Sequence, residues 1–182
     1  MKKLFTFSAL LISLFASVMA NATPVEALAS TSYSQSGEYM GYNSESAFNG
    51  GNWNSGNWGT QWLQVDMGSI QTIDWLSFIT DQLPNDVTSH SIYISNSAIG
   101  NNWSSLTAVA SHNGFTVAGT LLEFSFTPTS GRFLEIVANN GASWTALSDV
   151  NVNSTSVPEP STFALVGVGM FGLLAMRRRK QA

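Results

Sequence analysis

The segment from residue 62 to residue 67 alternates its side chains with a strict period of two. Its apolar residues Leu63, Val65 and Met67 are each separated by one other residue. Because successive side chains of a β-strand point to opposite faces, this period is typical of a strand with one buried face. Comparable runs follow at residues 73–79, 91–94, 121–126, 132–137 and 147–152.

Segments rich in Gly, Asn, Asp, Ser and Pro separate these runs, and such residues favour turns. Examples are residues 67–69, 83–86 and 139–141. Apart from two apolar segments at the chain ends, no segment has both the length and the periodicity of a helix. Many short strands joined by polar loops predict an all-β fold, either an antiparallel sandwich or a jelly roll.

The N-terminus has the pattern of a secretory signal peptide. Two lysines precede an apolar stretch over residues 4–19, and small residues follow at Ala20 and Ala22. We expect a helical signal peptide over residues 1–22, with cleavage by signal peptidase after Ala22 or, alternatively, after Ala20. An N-terminal membrane anchor is the other interpretation, but the stretch is short and a cleavage site follows it directly.

The C-terminal residues 157–182 combine three features in a fixed order. Pro158, Glu159 and Pro160 come first, and because proline continues neither a helix nor the interior of a sheet, they separate the domain from its tail. An apolar run over residues 161–176 follows. The chain then has a basic cluster, which consists of Arg177, Arg178, Arg179 and Lys180. Such a cluster resists transfer across a bilayer and keeps the C-terminus cytoplasmic.

This arrangement resembles the PEP-CTERM sorting signal of Gram-negative bacteria, which an exosortase recognises and cleaves. A helix over residues 161–176 would be about 24 Å long, against an apolar bilayer core of about 30 Å. Such a helix is marginal as a permanent anchor but sufficient as a transient one. The resemblance therefore implies export, transient contact with the inner membrane, and a cell-surface or extracellular location after processing.

The domain between these ends, residues 23–156, is strongly acidic. It contains ten acidic residues against one arginine, Arg132, so its net charge is near −9. This charge argues against nucleic acid or an anionic lipid surface as a partner. The chain has no cysteine, so disulfides do not hold the exported domain together. About 130 residues are enough to bury one hydrophobic core.

Several segments of the domain resemble the discoidin domain, also called the coagulation-factor C-type domain, whose members include carbohydrate-binding modules. The resemblance lies in residues 46–50, 62–68, 91–95, 131–136 and 146–152, in that order. It covers the chain from about residue 27 to residue 153. It implies a jelly-roll sandwich of about eight strands with ligand-binding loops at one end.

The resemblance also implies a structural calcium ion near Asn49, Ser55 and Asp149. Sugar-binding relatives have Asp where this chain has Asn49, and Glu where it has Asp149. Calcium prefers a mixture of carboxylate, amide and carbonyl oxygens, which these residues could supply. The alternative is a polar loop that hydrogen bonds hold together without a metal.

The loop over residues 49–59 is the main candidate for ligand binding, since it repeats Asn-Trp among glycines. An indole ring can stack on the apolar face of a sugar ring while amides bind its hydroxyls. We expect Trp53 and Asn54 to contact the ligand and Trp58, also a candidate, to lie nearer the core. Alternatively, one or both rings fold back onto the sandwich. Further candidates in neighbouring loops are Asp81, His112 and Asn139.

Three residues of the resemblance have architectural explanations. We expect Trp62 to cover a sheet face, Arg132 to pair with a carboxylate, and Asp66 to accept backbone amide hydrogens in a turn. His90 begins a strand and is predicted to be structural. His112 is predicted to lie in a polar turn, where it either binds a sugar hydroxyl or is simply solvated.

No motif for nucleophilic catalysis, nucleotide binding or dinucleotide binding occurs in the sequence, so we do not expect an enzyme. The sequence predicts an exported protein that binds carbohydrate, such as the cell's exopolysaccharide, through loops at one end of a sandwich. The alternative is a structural protein of the matrix or cell surface with no defined small ligand.

Overall fold

The structure is a computed structural model that describes residues 23–25 and 31–156. Its strands are β1 (Thr23–Pro24), β2 (Ser32–Gln35), β3 (Asn52–Asn54), β4 (Gly59–Thr80), β5 (Asp86–Ser95), β6 (Ala110–Thr116), β7 (Leu121–Asn140) and β8 (Ala146–Ser156). A short helix α1 (Ser44–Phe48) precedes β3, and a 3₁₀ segment covers Gly100–Ser105. The predicted signal peptide and the predicted apolar helix over residues 161–176 lie outside the described residues. Within the described part, no helix is long and apolar enough to cross a membrane.

Two long strands, β4 and β7, each run through both sheets of the sandwich. The first half of β4 pairs with β2 and with the second half of β7. The second half of β4 pairs with the first half of β7 and with β8. All of these pairings are antiparallel, and β5 and β6 extend the first sheet. The predicted all-β antiparallel fold is therefore confirmed.

The two halves of β4 fold back on each other, so both of its ends lie at the same end of the sandwich. At its start, the Gly59 carbonyl accepts a hydrogen bond from Thr145 Oγ1 at 3.5 Å. Just after its end, the Asp81 amide donates to the Ala146 carbonyl at 3.1 Å. Because Thr145 and Ala146 are neighbours in the chain, residues 59 and 81 lie close together. We call this the loop end of the sandwich.

The reversal of β4 lies at the opposite end, which we call the bend end. The register of β4 against β7 shifts between Asp66 and Gln71, and Gly68 takes a positive φ of 74°. Asp66 Oδ1 accepts the Gly68 amide at 2.9 Å, and Arg132 binds both carboxylate oxygens, from Nε at 2.7 Å and Nη2 at 2.8 Å. This pairing lowers the pKa of Asp66. The expected roles of Asp66 and Arg132 are thus confirmed.

Between the sheets lies one apolar core to which both halves of β4 contribute. Its buried residues include Leu63 and Val65 from the first half and Leu76 and Phe78 from the second. The alternation seen in the sequence therefore places one face of the strand in the core, as predicted. Burial of such side chains stabilises the fold by roughly 1.5–3 kcal/mol each.

The structure differs from the sequence predictions in how the strands are divided. The predicted runs at 62–67 and 73–79 belong to the single strand β4, and those at 121–126 and 132–137 belong to β7. β4 and β7 are each continuous because both strands bend at this point and stay paired with each other. The helix α1 was not predicted. It begins after Asn43, whose Oδ1 accepts the Ser46 amide at 2.8 Å and caps the helix.

The outer face of the first sheet is covered by the segment over residues 96–109. Trp62 lies on this face, as expected, and its Nε1 donates to Asn101 Oδ1 at 2.9 Å. Gln64 Oε1 accepts the Ile99 amide at 2.7 Å. Glu135, opposite Gln64 in the register, is fully buried, and within the described residues its carboxylate oxygens have no hydrogen bond of normal geometry, although the Gly100 amide lies near enough to act on them.

Burial shifts the pKa values of two side chains in opposite directions. It raises the pKa of Glu135 from 4.5 to about 8, against a smaller opposing effect of the Gly100 amide. Burial also lowers the pKa of His90 from 6.5 to about 3, with a further contribution from His112. His90 packs against the Phe78 ring at 5.1 Å between centroids, in agreement with its predicted structural role. Folding therefore favours the neutral form of both groups.

We expect the free energy of unfolding to be highest between about pH 4.5 and 6.5. As the pH rises towards 8, unfolded Glu135 loses its proton while the folded carboxyl keeps it, so stability falls. As the pH falls from 4.5 to 3, unfolded His90 is protonated while folded His90 is not, so stability again falls. Between these limits the two effects offset each other. Each limb has a slope of about 1.4 kcal/mol per pH unit, and urea unfolding at several pH values measures it.

The variant Glu135→Gln is the matched control, because it keeps the shape of the side chain and removes its titration. It should flatten the alkaline limb and, because nothing then offsets His90, extend the acid limb up to about pH 6.5. The variant His90→Gln should extend the alkaline limb down to about pH 4.5 and leave, at lower pH, only the loss of stability that the lowered pKa of Asp66 causes. An alkaline limb that persists in Glu135→Gln would contradict the assignment.

Candidate functional site

Four segments that are distant in the sequence meet at the loop end. They are residues 36–43, 54–58, 81–85 and 141–145. The Tyr39 amide donates to the Asn54 carbonyl at 2.9 Å, and the Ser55 amide donates to the Thr145 carbonyl at 2.9 Å. These backbone bonds connect the first, second and fourth segments, and the bond from Asp81 to Ala146 brings in the third.

The two rings of Tyr39 and Trp144 form an exposed aromatic pair at this end. Their centroids lie 6.2 Å apart, and their planes are within 13° of parallel. Tyr39 is 48% exposed and Trp144 is 43% exposed. Offset stacking of this kind holds both rings in place while part of each ring stays open to solvent. We call the pair the aromatic platform.

Trp58 is the most exposed tryptophan at the loop end, with 66% of its surface accessible. The turn before it lies against the Tyr39 side chain. Gly56 in this turn has a φ of 64°, and a Cβ at this position would lie only 3.2 Å from the Tyr39 Cβ. The Trp58 carbonyl accepts Gln61 Nε2 at 3.0 Å. Trp58 is therefore an exposed ring in a segment adjacent to the platform.

The prediction that Trp53 is the exposed ring of this loop is wrong. Trp53 lies in β3, is completely buried in the core, and donates from Nε1 to the Gly37 carbonyl at 2.8 Å. β3 pairs with β8, and this pairing turns the ring inward. The expectation that Trp58 lies nearer the core is also wrong. Trp58 lies outside any strand, so no strand pairing turns its ring towards the core.

The other predicted ligand-binding residues have different surroundings. Asn54 Oδ1 accepts the Gly56 amide at 2.9 Å and so stabilises the turn before Trp58. Asn139 donates to Thr60 Oγ1 at 3.0 Å across β7 and β4. His112 was predicted to lie in a polar turn, but it lies in strand β6 opposite His90. Its Nε2 is buried without a partner in the described residues, so this atom is not presented to a surface ligand.

An open depression of about 740 Å³ begins at Met40, the residue after Tyr39. Its lining includes Met40, Tyr42, Asn52, Asp81, Ser148 and Asp149. Asn52 Nδ2 donates to Asp81 Oδ2 at 3.3 Å, and Asp149 adopts a positive φ of 50° that is uncommon outside glycine. The depression therefore brings together two predicted site residues, Asp81 and Asp149, with one exposed tyrosine.

The three residues predicted to hold calcium have different surroundings, although the Asp149 amide donates to the Gly51 carbonyl at 2.9 Å, two residues after Asn49. Asp149 lines this depression, whereas Asn49 ends α1, lines a different one and donates to the Glu45 carbonyl at 3.0 Å. Ser55 is buried, and its hydroxyl donates to the Asn57 carbonyl at 3.0 Å. No group of three or more His, Cys, Asp or Glu side chains is placed to hold a metal within the described residues. Any calcium ligands beside Asp149 would therefore have to include neutral oxygens.

Tyr39, Tyr42 and Trp144 were not predicted as site residues. The signal available was the segment Tyr-Met-Gly-Tyr at residues 39–42, in which aromatics flank a glycine among polar residues, and the tryptophan after Asn139-Asn140-Gly141. Neither segment is notable by itself, because the platform exists only where two residues more than one hundred positions apart meet.

Three solved structures illustrate what the fold is similar to. The family 32 carbohydrate-binding module of NanJ from C. perfringens, in complex with galactose, is 17% identical, with a TM-score of 0.56 over 73% of this chain and 99% of that chain. Chitosan-binding module 2 of a chitosanase/glucanase from Paenibacillus sp. IK-5, in complex with chitotriose, is 23% identical, with a TM-score of 0.55 over 70% and 98%. A fucolectin from striped bass (Morone saxatilis) serum is 17% identical, with a TM-score of 0.61 over 76% and 50%. At these identities the likeness establishes the fold.

A search of curated proteins finds no match to the chain. Comparison with protein families finds two matches: residues 156–180 match the PEP-CTERM protein-sorting motif, and residues 27–152 match the F5/8 type C domain. The second match covers more than half of the chain and includes both rings of the platform. The protein therefore belongs to the F5/8 type C domain family and carries a PEP-CTERM protein-sorting motif at its C-terminus.

Proposed function

We propose that this protein is an exported, non-catalytic carbohydrate-binding protein whose ligand stacks on the aromatic platform of Tyr39 and Trp144. The observation that carries the proposal is the exposure of two stacked rings among loops that the sandwich holds in place. Aromatic rings held in this way provide a flat apolar surface, to which the C–H face of a pyranose ring is complementary.

Polar groups suited to sugar hydroxyls line the depression that begins at Met40, the residue after Tyr39. They are the carboxylates of Asp81 and Asp149, the amide of Asn52 and the hydroxyl of Ser148. Neutral and anionic acceptors beside a flat apolar surface can bind the hydroxyl edge of a sugar whose face is stacked. The exposure of the two platform rings supports carbohydrate binding over the alternative of a structural protein with no small ligand. Solved structures of similar fold that hold galactose or chitotriose support it further.

Export and surface location form the second part of the proposal. The PEP-CTERM match supports recognition by an exosortase, after a signal peptidase has removed residues 1–22 and while the C-terminal segment is in the inner membrane. In the described domain, β8 ends at Ser156 opposite Gln71, which is at the bend end. The tail thus leaves the sandwich roughly 30 Å from the loop end, at about 3.3 Å per strand residue. A chain held by its tail would present the platform outward, where exopolysaccharide is a candidate ligand.

We expect Trp144→Ala to weaken glycan binding by roughly tenfold or more, because tryptophan anchors at binding sites are often worth at least 2 kcal/mol. The full-length protein in mild detergent is first screened on a broad glycan array, and the affinity for each hit is then measured by calorimetry. Ile70→Ala is the control, since Ile70 is 45% exposed but lies at the bend end. Absence of binding to any glycan, or an equal loss in Ile70→Ala, would sink the proposal.

A structural calcium ion at Asp149 is a further part of the proposal. A ligand present at one hundred times its Kd adds about 2.7 kcal/mol to the stability of the folded state, so a chelator should lower the unfolding midpoint by several degrees, and added calcium should restore it. Asp149→Asn tolerates the positive φ and removes the charge, so its midpoint should not respond to chelator. A wild-type midpoint that does not move with chelator rules out the ion.

We expect Glu159→Ala to block processing of the tail, because Pro158, Glu159 and Pro160 form the defining part of the sorting motif. Intact-mass measurement of the exported protein should then find the C-terminal residues, including Arg177, Arg178 and Arg179, retained in the variant and removed from the wild type. Equal masses at the C-terminus of both proteins would contradict exosortase processing at this motif.

A further inference from the structure

Strand β6 forms an open edge of the first sheet. Within the described residues it pairs with β5 alone, from Asp86 opposite Thr116 to Ile92 opposite Ala110, and it is the last strand in the order of the sheet. No other backbone–backbone hydrogen bond involves residues 110–116 in the described part of the chain. An edge strand of this kind presents a row of free N–H and C=O groups, to which another extended strand can add.

The other open edges that the structure describes are short or protected. The strands β1, β2 and β3 have only two, four and three residues. The first half of β7, which pairs with β4 alone, has the exposed side chain of Glu123 and contains Pro128. Charged side chains and proline are common means by which an edge avoids pairing. Residues 110–116 contain no Lys, Arg, Asp, Glu or Pro, so β6 lacks this protection.

The exposed side of β6 carries a large apolar residue. Its exposed side chains are those of Ser111, Asn113 and Phe115. Phe115 is 67% exposed, and Val87, directly opposite on β5, is 52% exposed. A strand added beside β6 would cover part of the Phe115 ring, because side chains on neighbouring strands of one face pack against each other.

Charge favours a second copy of the chain as the partner at this edge. Residues 87–122 contain no Lys, Arg, Asp or Glu, although the domain as a whole has a net charge near −9. Two copies therefore repel each other over most of their surfaces, and the repulsion is least where both present this uncharged region. A basic partner would instead be attracted to the acidic surfaces elsewhere. A neutral edge of seven residues matches an identical edge in both length and charge.

We propose that two copies of this protein pair through β6, antiparallel and centred on Asn113, so that their first sheets join into one continuous sheet. A two-fold axis makes each edge contact its own equivalent. Full overlap of residues 110–116 then sets Asn113 opposite Asn113 of the partner subunit, and Ser111 opposite Phe115 of the partner subunit. This pairing goes beyond the proposed function and does not depend on it.

The direction of β6 determines how the two copies are oriented. Thr116 pairs with Asp86, whose Oδ2 lies 3.0 Å from the position that a Cβ on Gly141 would occupy, so β6 runs towards the loop end. An antiparallel pair therefore has its two loop ends at opposite poles. If the loop end binds carbohydrate, as proposed above, the dimer links two glycan chains.

Disulfide cross-linking of single-cysteine variants tests the pairing and its register, because the chain has no cysteine of its own. In the full-length protein in mild detergent, Asn113→Cys should form a covalent dimer under mild oxidation, since Cα atoms of facing residues lie within the range of a disulfide. Ser111→Cys alone should not, because its two copies would be four residues out of register, about 13 Å apart. A mixture of Ser111→Cys and Phe115→Cys should give the mixed dimer.

Asn153→Cys is the matched control for cross-linking. Asn153 is an exposed asparagine in β8, which lies far from β6 in the order of strands. This variant should stay monomeric under the same oxidation. Circular dichroism checks that each variant keeps the all-β fold.

The variant Asn113→Lys tests the edge without a cross-link. It places two ammonium groups at the axis, so it should weaken self-association at least roughly fivefold, as measured by sedimentation equilibrium. Asn153→Lys adds the same charge elsewhere. It should leave the association unchanged or strengthen it slightly, because it lowers the net negative charge.

The outcomes also separate this inference from the proposed function. A wild type that stays monomeric at the highest concentration it reaches, or equal cross-linking of Asn113→Cys and Asn153→Cys, overturns the pairing. A dimer that persists in Asn113→Lys is held by another surface, such as the apolar tail, and also overturns it. Trp144→Ala should leave cross-linking at residue 113 unchanged, so loss of glycan binding alone contradicts neither the pairing nor its register.

Discussion

The reversal of β4 at residues 67–70 is the constraint on which the rest of the structure depends. Asp66 holds it by accepting the Gly68 amide and both nitrogens of Arg132. Because the strand turns back without leaving β7, its two halves face each other across the core and its two ends meet. Gly131 allows this packing on the partner strand, since a Cβ there would lie 2.5 Å from Ile94 Cγ2. The two ends of β4 meet at the loop end because the strand reverses at the bend end.

The same arrangement explains why the one arginine of the domain is absent from the candidate site. Arg132 is used as a bidentate partner of Asp66, where a fixed planar donor matches the carboxylate geometry. The acidic residues are not gathered there, and several of them lie in the loops around Tyr39 and Trp144. A domain with one cation that is committed to its architecture must present a negative surface elsewhere. Because Arg132 pairs with Asp66, the loop residues Asp81 and Asp149 have no lysine or arginine partner within the described residues.

Two tryptophans of one loop illustrate how tertiary structure decides burial. Trp53 and Trp58 each follow an asparagine in the same glycine-rich segment, and local sequence does not distinguish them. Trp53 is buried because residues 52–54 pair with β8, whereas Trp58 precedes β4 and stays 66% exposed. The interpretation of this loop as ligand-binding was therefore right to expect an exposed ring but assigned the exposure to the wrong residue.

The sequence by itself determined the all-β class, the family, the sorting motif, the acidic charge of the domain and the pairing of Arg132 with a carboxylate. These properties depend on period-two patterning, on local motifs or on simple counts, which the sequence contains directly. Only the tertiary structure decided that β4 and β7 are continuous, that His112 lies in a strand, and that Tyr39 stacks on Trp144. The physical reason is that burial and ring stacking are set by segments far apart in the chain, and their meeting depends on the bend of β4 rather than on any local pattern.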